Sequence, residues 1–347
     1  MIELCSQHYR RFTGTLLGLL GALAVSDSIG LADEVVVHGS TSTSRITINC
    51  EVLDYTGKKL VIKTAANKNE QTYSAADVVS VRTMHTDAHE SGLKALAAGD
   101  TDAAEAAFDR AVNQELRTWV RRELLALQIR CSLRRADWVA AGQRFSRLYQ
   151  SDPDTRHVDL LPLNWSPRPI DTAAARGQAA VWLRDKQQPL TQLLAASWLC
   201  FEAKYDAECE QAWPSLVRLP DERLRTLAQW QSYRRRAAVE GIEDTEIARW
   251  ESRVTKLEPP LRAGPYFMLG LAFERRHEFD LAAAAFLRLP FAHPTDHPIT
   301  ADALFNASVC IERTGLSTEA ASLRQELITK YRHTTAAIKA EEGLRKR

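Results

Sequence analysis

The sequence lacks the short signatures that mark common catalytic chemistry. There is no GxSxG nucleophile turn, no HExxH zinc helix and no GxGxxG phosphate cradle. Gly57-Lys58 comes nearest to a phosphate loop, but Val52 stands where such a loop needs its first glycine, so a turn glycine explains the pair. Cysteine is scarce, 6 in 347 residues, and no two cysteines form a CxxC, which excludes zinc-ribbon and thioredoxin-like sites. An excess of one charge is also missing. With 45 basic and 44 acidic residues the net charge is +1, so no global field steers the chain to nucleic acid or to an anionic membrane. No apolar run reaches the roughly 20 residues of a bilayer span.

The N-terminus has the order of a processing signal. Arg10-Arg11 precede the apolar run Leu16 to Val25, and Gly30-Leu31-Ala32 offers a small-residue cleavage site. The expectation is a signal peptide over 1–32 and a mature, exported chain in the periplasm or envelope, with an uncleaved membrane anchor as the alternative. Thr13 and Gly14 fit a twin-arginine signal poorly, and Cys5 precedes the apolar run, so it is not a lipoprotein cysteine. Removal of 1–32 leaves Cys50, Cys131, Cys200, Cys209 and Cys310, an odd, widely spaced set that reads as buried thiols rather than a disulfide framework. Cys200 and Cys209 are the one pair placed to bridge.

What the chain does have is a recurring pattern of small and large residues. From Gly92 to Ala111, Gly92 and Ala104 are small where two antiparallel helices would cross, Gly99-Asp100 makes a turn, and Phe108 is a large aromatic four residues after Ala104. A second copy places Ala136-Asp137-Trp138 at the turn, then Ala141, Phe145 and Pro153, with Gln128 and Ile129 departing from the pattern. A third holds Tyr266, Leu269, Gly270, Phe273, Ala282, Phe286 and Pro294, and a fourth, 38 residues on, holds Leu304, Ser308, Ile311, Gly315, Ala320 and Leu327. These copies resemble the tetratricopeptide repeat (TPR), in which helix pairs stack because one pair cannot bury its own apolar face. The resemblance implies a mainly α fold, a TPR-like α-solenoid, and Thr335 to Arg347 reads as a capping helix.

Residues 33–84 differ. Ile46, Ile48, Cys50 and Val52 alternate with polar residues, Asp54-Tyr55-Thr56-Gly57 turns, and Leu60 and Ile62 resume the alternation. Asn67-Lys68-Asn69 makes another turn before Val78, Val79 and Val81. This predicts a small β-barrel or curled sheet that resembles SH3-like or Sm-like barrels and needs support from the first helix pair. The remaining boundaries are 85–154 for a TPR-like stretch, 155–258 for divergent helical repeats and 259–347 for a TPR-like pair with its cap. Pro162, Pro167 and Pro169 make 158–170 an extended connector. In the middle region Leu224, Leu227 and Ala228 mark one apolar face, and Ile247, Trp250, Val254 and Leu257 another. All eight tryptophans fall between 119 and 250, where core filling is the simpler account than a glycan surface.

In the resembled family, first helices line a concave face, which implies a groove at Arg130, Arg134, Glu274, Arg275, Glu312 and Arg313. Acid, base and apolar residues alternating there suit an extended peptide or a partner's tail. The expectation is a non-enzymatic protein-binding scaffold of the cell envelope, with envelope assembly as its setting, and with no catalytic residue, cofactor or metal. An enzyme or glycan-binding factor using the Trp-rich middle is the alternative. Nucleic-acid binding would require a basic face around Arg45, Lys58, Lys59 and Lys63. The histidine pairs His85/His89 and His293/His297 read as polar loop composition before metal sites, and Asn164-Trp-Ser166 and Asn306-Ala-Ser308 as chance glycosylation matches.

Overall fold

The computed structural model of the chain describes residues 33–39, 44–64, 69–237, 242–293, 298–332 and 334–345. The signal segment 1–32, Pro294 and His297 therefore lie outside the described residues. Five strands come first: β1 (Asp33–His38), β2 (Arg45–Tyr55), β3 (Lys59–Lys63), β4 (Glu70–Ser74) and β5 (Val78–Arg82). Helices follow as α1 (Asp87–Ala97), α2 (Thr101–Gln114), α3 (Thr118–Arg134) and α4 (Trp138–Ser151). The middle holds α5 (Ala173–Arg184), α6 (Pro189–Leu199), α7 (Asp206–Leu216), α8 (Glu222–Arg235) and α9 (Asp244–Val254). The last part holds α10 (Ala263–Arg275), α11 (Phe279–Ala292), α12 (Ile299–Arg313), α13 (Ser317–Lys330) and α14 (Thr335–Arg345). The chain is thus mainly helical, with one small antiparallel sheet at its described N-terminal end.

The sheet runs in the order β4-β3-β2-β1-β5, with a short 3-10 turn at Ala75–Asp77 between β4 and β5. Its register shifts at Val36/Val37 and at Val52/Asp54, and such bulges increase local twist and curl a sheet. One face buries Val35, Val37, Cys50, Val52, Leu60 and Ile62. The cover over that face comes from Trp119 and Val120 of α3, not from the first helix pair as expected. The reason is that α1 and α2 spend their apolar faces on each other, while Trp119 brings a large ring and donates from Nε1 to the carbonyl of Val52 at 3.1 Å. Gly57 seals the other end. A side chain there would collide with the Asp154 backbone, its N–H donates to Asp152 Oδ2 at 2.9 Å, and Lys58 pairs with Asp154 at 3.0 Å. Of the residues a basic face would need, Lys58 is paired with Asp154 and Lys63 lies between Glu51 and Glu70 in register.

Four helix pairs, α1/α2, α3/α4, α10/α11 and α12/α13, share one turn. Gly99, Ala136, His277 and Gly315 all take positive φ, at 82°, 55°, 62° and 90°. In each turn the next residue's N–H reaches back to a carbonyl five residues earlier: Asp100 to Ala95, Asp137 to Ser132, Glu278 to Phe273 and Leu316 to Ile311, at 2.9–3.2 Å. This is a Schellman ending, which satisfies carbonyls left open at a helix C-terminus. Asp100 and Asp137 then cap α2 and α4 through their side chains. The crossings are as close as small residues allow. A Cβ on Gly92 would lie 2.4 Å from the Phe108 ring, and one on Gly270 would lie 2.5 Å from the Phe286 ring.

The segment before α5 opens with a 3-10 turn at Val158–Leu160, not the extended backbone expected there, then runs on without helix or strand, and it is not a surface link. Val158, Leu160, Leu161, Leu163, Trp165 and Ile170 belong to the main hydrophobic core. Trp165 fills the space over Gly264 of α10, Asn164 N–H donates to Ser197 Oγ at 2.8 Å, and Trp198 Nε1 donates to the carbonyl of Pro162 at 2.6 Å. The strap thus threads between α6 and α10 and ties the two halves of the helical part together. Six of the eight tryptophans are buried, and Trp138 and Trp182 pack around Trp198. Leu224, Leu227, Ala228, Ile247, Trp250 and Val254 are buried as their periodicity predicts. The five described cysteines, Cys200 and Cys209 included, are buried free thiols.

Candidate functional site

The strap does not fill all the space beside it. A cleft of about 420 Å³ lies between the α3/α4 turn (Arg134, Trp138), the strap (Trp165 to Thr172) and the C-terminal helices (Ile299, Asp302, Lys339). A deeper pocket of about 150 Å³ shares Ser166, Arg168, Asp302 and Lys339 with it and continues to Phe267, Leu271 and Glu274 of α10, Phe305 and Asn306 of α12, and Ala336 of α14. The local reasons for this layout are plain. Pro167 and Pro169 keep the strap extended and prevent Arg168 from joining a helix. Asp302 falls in the first turn of α12 and Lys339 in the middle of α14, the helix that packs its Ala336, Ala337 and Ala340 against α12 and α13.

The charges in this cleft are unmatched. Among the described residues, the side chains of Arg168, Glu274, Asp302 and Lys339 make no hydrogen bond or ion pair. Burial raises the Asp302 carboxyl to about 6, outweighing the opposing pull of Arg168 and Lys339, and Asp171 adds to the rise. Burial alone raises Glu274. Two half-buried acids and two cations therefore face two adjoining spaces without a hydrogen bond or close ion pair, Arg168 and Lys339 opposing the rise of Asp302 only at longer range. That is the environment of groups awaiting a ligand rather than of a folded core, where buried polar groups find partners.

The six expected groove residues do not share one surface. Arg134 and Glu274 line the cleft, although Arg134 also donates to the Leu96 carbonyl at 2.9 Å. Arg130 is half-buried on α3 and lines neither cavity. Arg275 and Arg313 are exposed and also lie outside the cleft. Glu312 is drawn inward, where it pairs with Arg324 of α13. The cause is a substitution in the fourth copy: Arg324 holds the position that Phe108 and Phe286 hold in theirs, is buried, and donates to Ser308 Oγ, so it needs a carboxylate beside it.

Sequence reasoning missed Arg168, Asp302 and Lys339. They sit far apart along the chain, and no local pattern in the sequence signalled that the strap would bring them together. The histidine reading also needs correction. His89 belongs to α1, is buried against Phe108, and lies beside His85 with ring centroids 3.9 Å apart and the rings tilted by 37°. Burial lowers His89 to about 4, with His85 adding to the effect. Among the described residues no three histidine, cysteine or acidic side chains converge as a metal site, and no described helix is long and apolar enough to cross a membrane. Both sequons have a buried member, Asn164 in one and Ser308 in the other. No family model matches the chain, and no curated protein matches it.

Proposed function

We propose that this protein is a non-enzymatic scaffold, a TPR-like solenoid carrying a small SH3-like β-domain, which holds an extended segment of a partner protein in the cleft beside the strap. The observation that carries this is the set of unmatched charges, Arg168, Glu274, Asp302 and Lys339, in a space walled by Trp138, Trp165 and Phe267. Glu274, Asp302 and Lys339 are half-buried, and charges partly withdrawn from water are costly unless something supplies counter-charge, while mixed signs along apolar walls suit a peptide better than a single ion. The repeat identity is supported by the four positive-φ turns at one position and by the two Gly–Phe crossings. The SH3-like identity is supported by the strand order and its 3-10 turn. The order of charged, apolar and small residues in 1–32 supports work in the cell envelope, where scaffolding of envelope assembly is the setting we favour.

Peptides selected on the purified protein from a random library test this. Hydrogen exchange is expected to show protection at 164–172, 298–306 and 334–340 on binding. Arg168→Glu should weaken a selected peptide by about ten-fold, the loss of one useful charge contact, while Arg275→Glu with Arg313→Glu leaves it unchanged. Selection of no peptide would sink the binding role. Protection centred on Arg275 and Arg313 would move the site to the outer face.

A further inference from the structure

None of the five described cysteines is bridged, and they differ in what surrounds the sulfur. Burial raises Cys50 and Cys131 to about 11 and Cys209 and Cys310 to about 12. Nearby negative charge adds to each rise: Asp33 at Cys50, Glu105 at Cys131, Glu274 at Cys310, and Cys200 ahead of Asp206, Glu208 and Glu210 at Cys209. Cys200, at the end of α6, has a cation in contact instead. Arg234 Nη2 donates to Cys200 Sγ and to the carbonyl of Ser197, both at 2.6 Å, and Nη1 donates to Gln231 Oε1 at 2.9 Å.

The cation sets the requirement. Arg234 is fully buried on α8, and a guanidinium keeps its proton inside proteins. Burial pulls against its charge, and the groups that support the charge are the Cys200 and Cys209 sulfurs. Among the described residues no carboxylate pairs with it. Ser197 and Gln231 offer neutral oxygens, the Phe201 ring lies 5.0 Å from the guanidinium, and the carboxyl end of α6 adds part of a negative charge. None of these is a full counter-charge, and a buried ion left without one is strongly destabilising. Cys200 can supply it, because a thiol beside a cation ionises more readily. Its Sγ accepts from Arg234 at 2.6 Å but lies 3.9 Å from the Ser197 carbonyl, the acceptor its own proton would use. Cys209 of α7 differs: its Sγ lies 4.0 Å from the Ala196 carbonyl and accepts from no cation among the described residues.

We infer that Cys200 is a thiolate in the folded protein at neutral pH, the counter-ion of Arg234, while Cys209 keeps its proton. The pair is joined to the strap. Gln231 Nε2 donates to the Asn164 carbonyl at 3.2 Å, and Asn164 N–H donates to Ser197 Oγ at 2.8 Å. The groups that hold Arg234 therefore also hold the strap at Asn164, where it lines the outer cleft. Protonation of Cys200 removes the counter-charge and loosens the strap, which makes the pair a charge-dependent clamp on that wall of the cleft.

The test uses the full chain and the ultraviolet absorption of a thiolate. At about pH 7, more than a unit below the ordinary thiol value of about 8.5, the folded parent should show the band of one thiolate. Unfolding in urea at the same pH should remove most of it. The band should be lost in Cys200→Ser and kept in Cys209→Ser. Stability gives an independent readout. Cys200→Asp, which keeps an anion beside Arg234, should melt above Cys200→Asn, its neutral isostere, and hydrogen exchange at 160–165 should be about ten-fold faster in the Asn variant than in the Asp variant. A parent band that is absent at about pH 7, or unchanged by Cys200→Ser or by unfolding, would overturn the thiolate and leave Arg234 held by neutral oxygens alone. Loss of the band in Cys209→Ser with retention in Cys200→Ser would overturn it by moving the charge to the other sulfur. Cys200→Asn melting at or above Cys200→Asp would also count against the ion pair, and equal exchange at 160–165 in the two variants would overturn the clamp on the strap.

Discussion

The pairs α1/α2 and α10/α11 are the same device built twice. Gly92 and Gly270, Ala104 and Ala282, Phe108 and Phe286, Gly99 and His277 occupy matching positions, and the aromatic of each pair closes on its glycine. They differ one turn before that glycine. His89 stands edge-on to Phe108 at 6.1 Å, whereas Phe267 stands edge-on to Phe286 at 5.3 Å. The difference teaches that the backbone arrangement does not demand a particular polarity there, and in α3/α4 the matching position is Ala126, with no ring at all. The pair α12/α13 stretches the rule further, replacing glycine and phenylalanine by Ser308 and Arg324 and adding Glu312 as counter-charge. Three chemistries support one geometry because the turn, not the ring, fixes the approach of the helices.

The strongest way to break this comparison is to remove the ring from each pair. Phe286 and Phe108 are both fully buried, so Phe→Ala at either removes the burial and leaves a cavity, a loss of roughly 3–5 kcal/mol. The cost should be greater at Phe286, where Phe267 and the main core surround the gap, than at Phe108, whose pair belongs to a smaller cluster. Urea unfolding of both variants checks the order. Equal, small losses at both sites would mean that the crossings are not held by the ring.

How much of this was legible in the sequence depends on whether the information was local. The turns at Gly99, Ala136 and Gly315 and the small–large pairs could be read, because they follow from spacing within one helix pair. The strands through Ile46 to Val52 and at Leu60 and Ile62 were visible by alternation. β4 was not, because Glu-Gln-Thr-Tyr-Ser is an edge strand with only Gln71 and Tyr73 half-buried. The burial of 158–170 was hidden by its prolines, which report backbone direction and not depth. Glu312 was read as a groove residue because its partner Arg324 replaces an aromatic, although the sixteen-residue spacing of Arg324 from Ser308, shared by Gly92 and Phe108, carried the clue. The cleft charges had no local pattern at all.

The second prediction sharpens the one difference between the matched pairs. The His89 pKa falls from 6.5 to about 4 on folding. Its folded value is below its unfolded value, so the unfolded chain takes up the proton first as pH falls. Stability is therefore unaffected by His89 above about pH 6.5, is lost between about 6.5 and 4, and falls no further below that. The full shift corresponds to about 3 kcal/mol. His89→Phe, which copies Phe267, should flatten this part of the stability–pH curve while leaving neutral stability within about 1 kcal/mol. An unchanged acid limb would place the sensitivity elsewhere, with His85 the next residue to replace.

The smallest effect concerns the turn that all four pairs share. Two of its positive-φ positions are glycine, and two are Ala136 and His277, whose Cβ atoms make the left-handed conformation unfavourable by about 1–2 kcal/mol. Glycine removes that penalty but loses more backbone freedom on folding, about 0.5–1 kcal/mol. Ala136→Gly and His277→Gly should therefore each stabilise by roughly 0.5–1 kcal/mol, and Gly99→Ala and Gly315→Ala should destabilise by a similar amount. No steric term complicates the last two, because a Cβ at Gly99 or Gly315 meets nothing within 4 Å. His277 carries one extra contact, its ring lying 5.7 Å from that of Phe279, so its gain should be the smaller of the two. Thermal melts of the four single variants give the result directly. Gains for the two exchanges to glycine and losses for the two exchanges to alanine would show that the turns are one structural position. The reverse signs, losses on Ala136→Gly and His277→Gly and gains on Gly99→Ala and Gly315→Ala, would mean that backbone freedom in the unfolded chain, and not the left-handed turn, governs these sites.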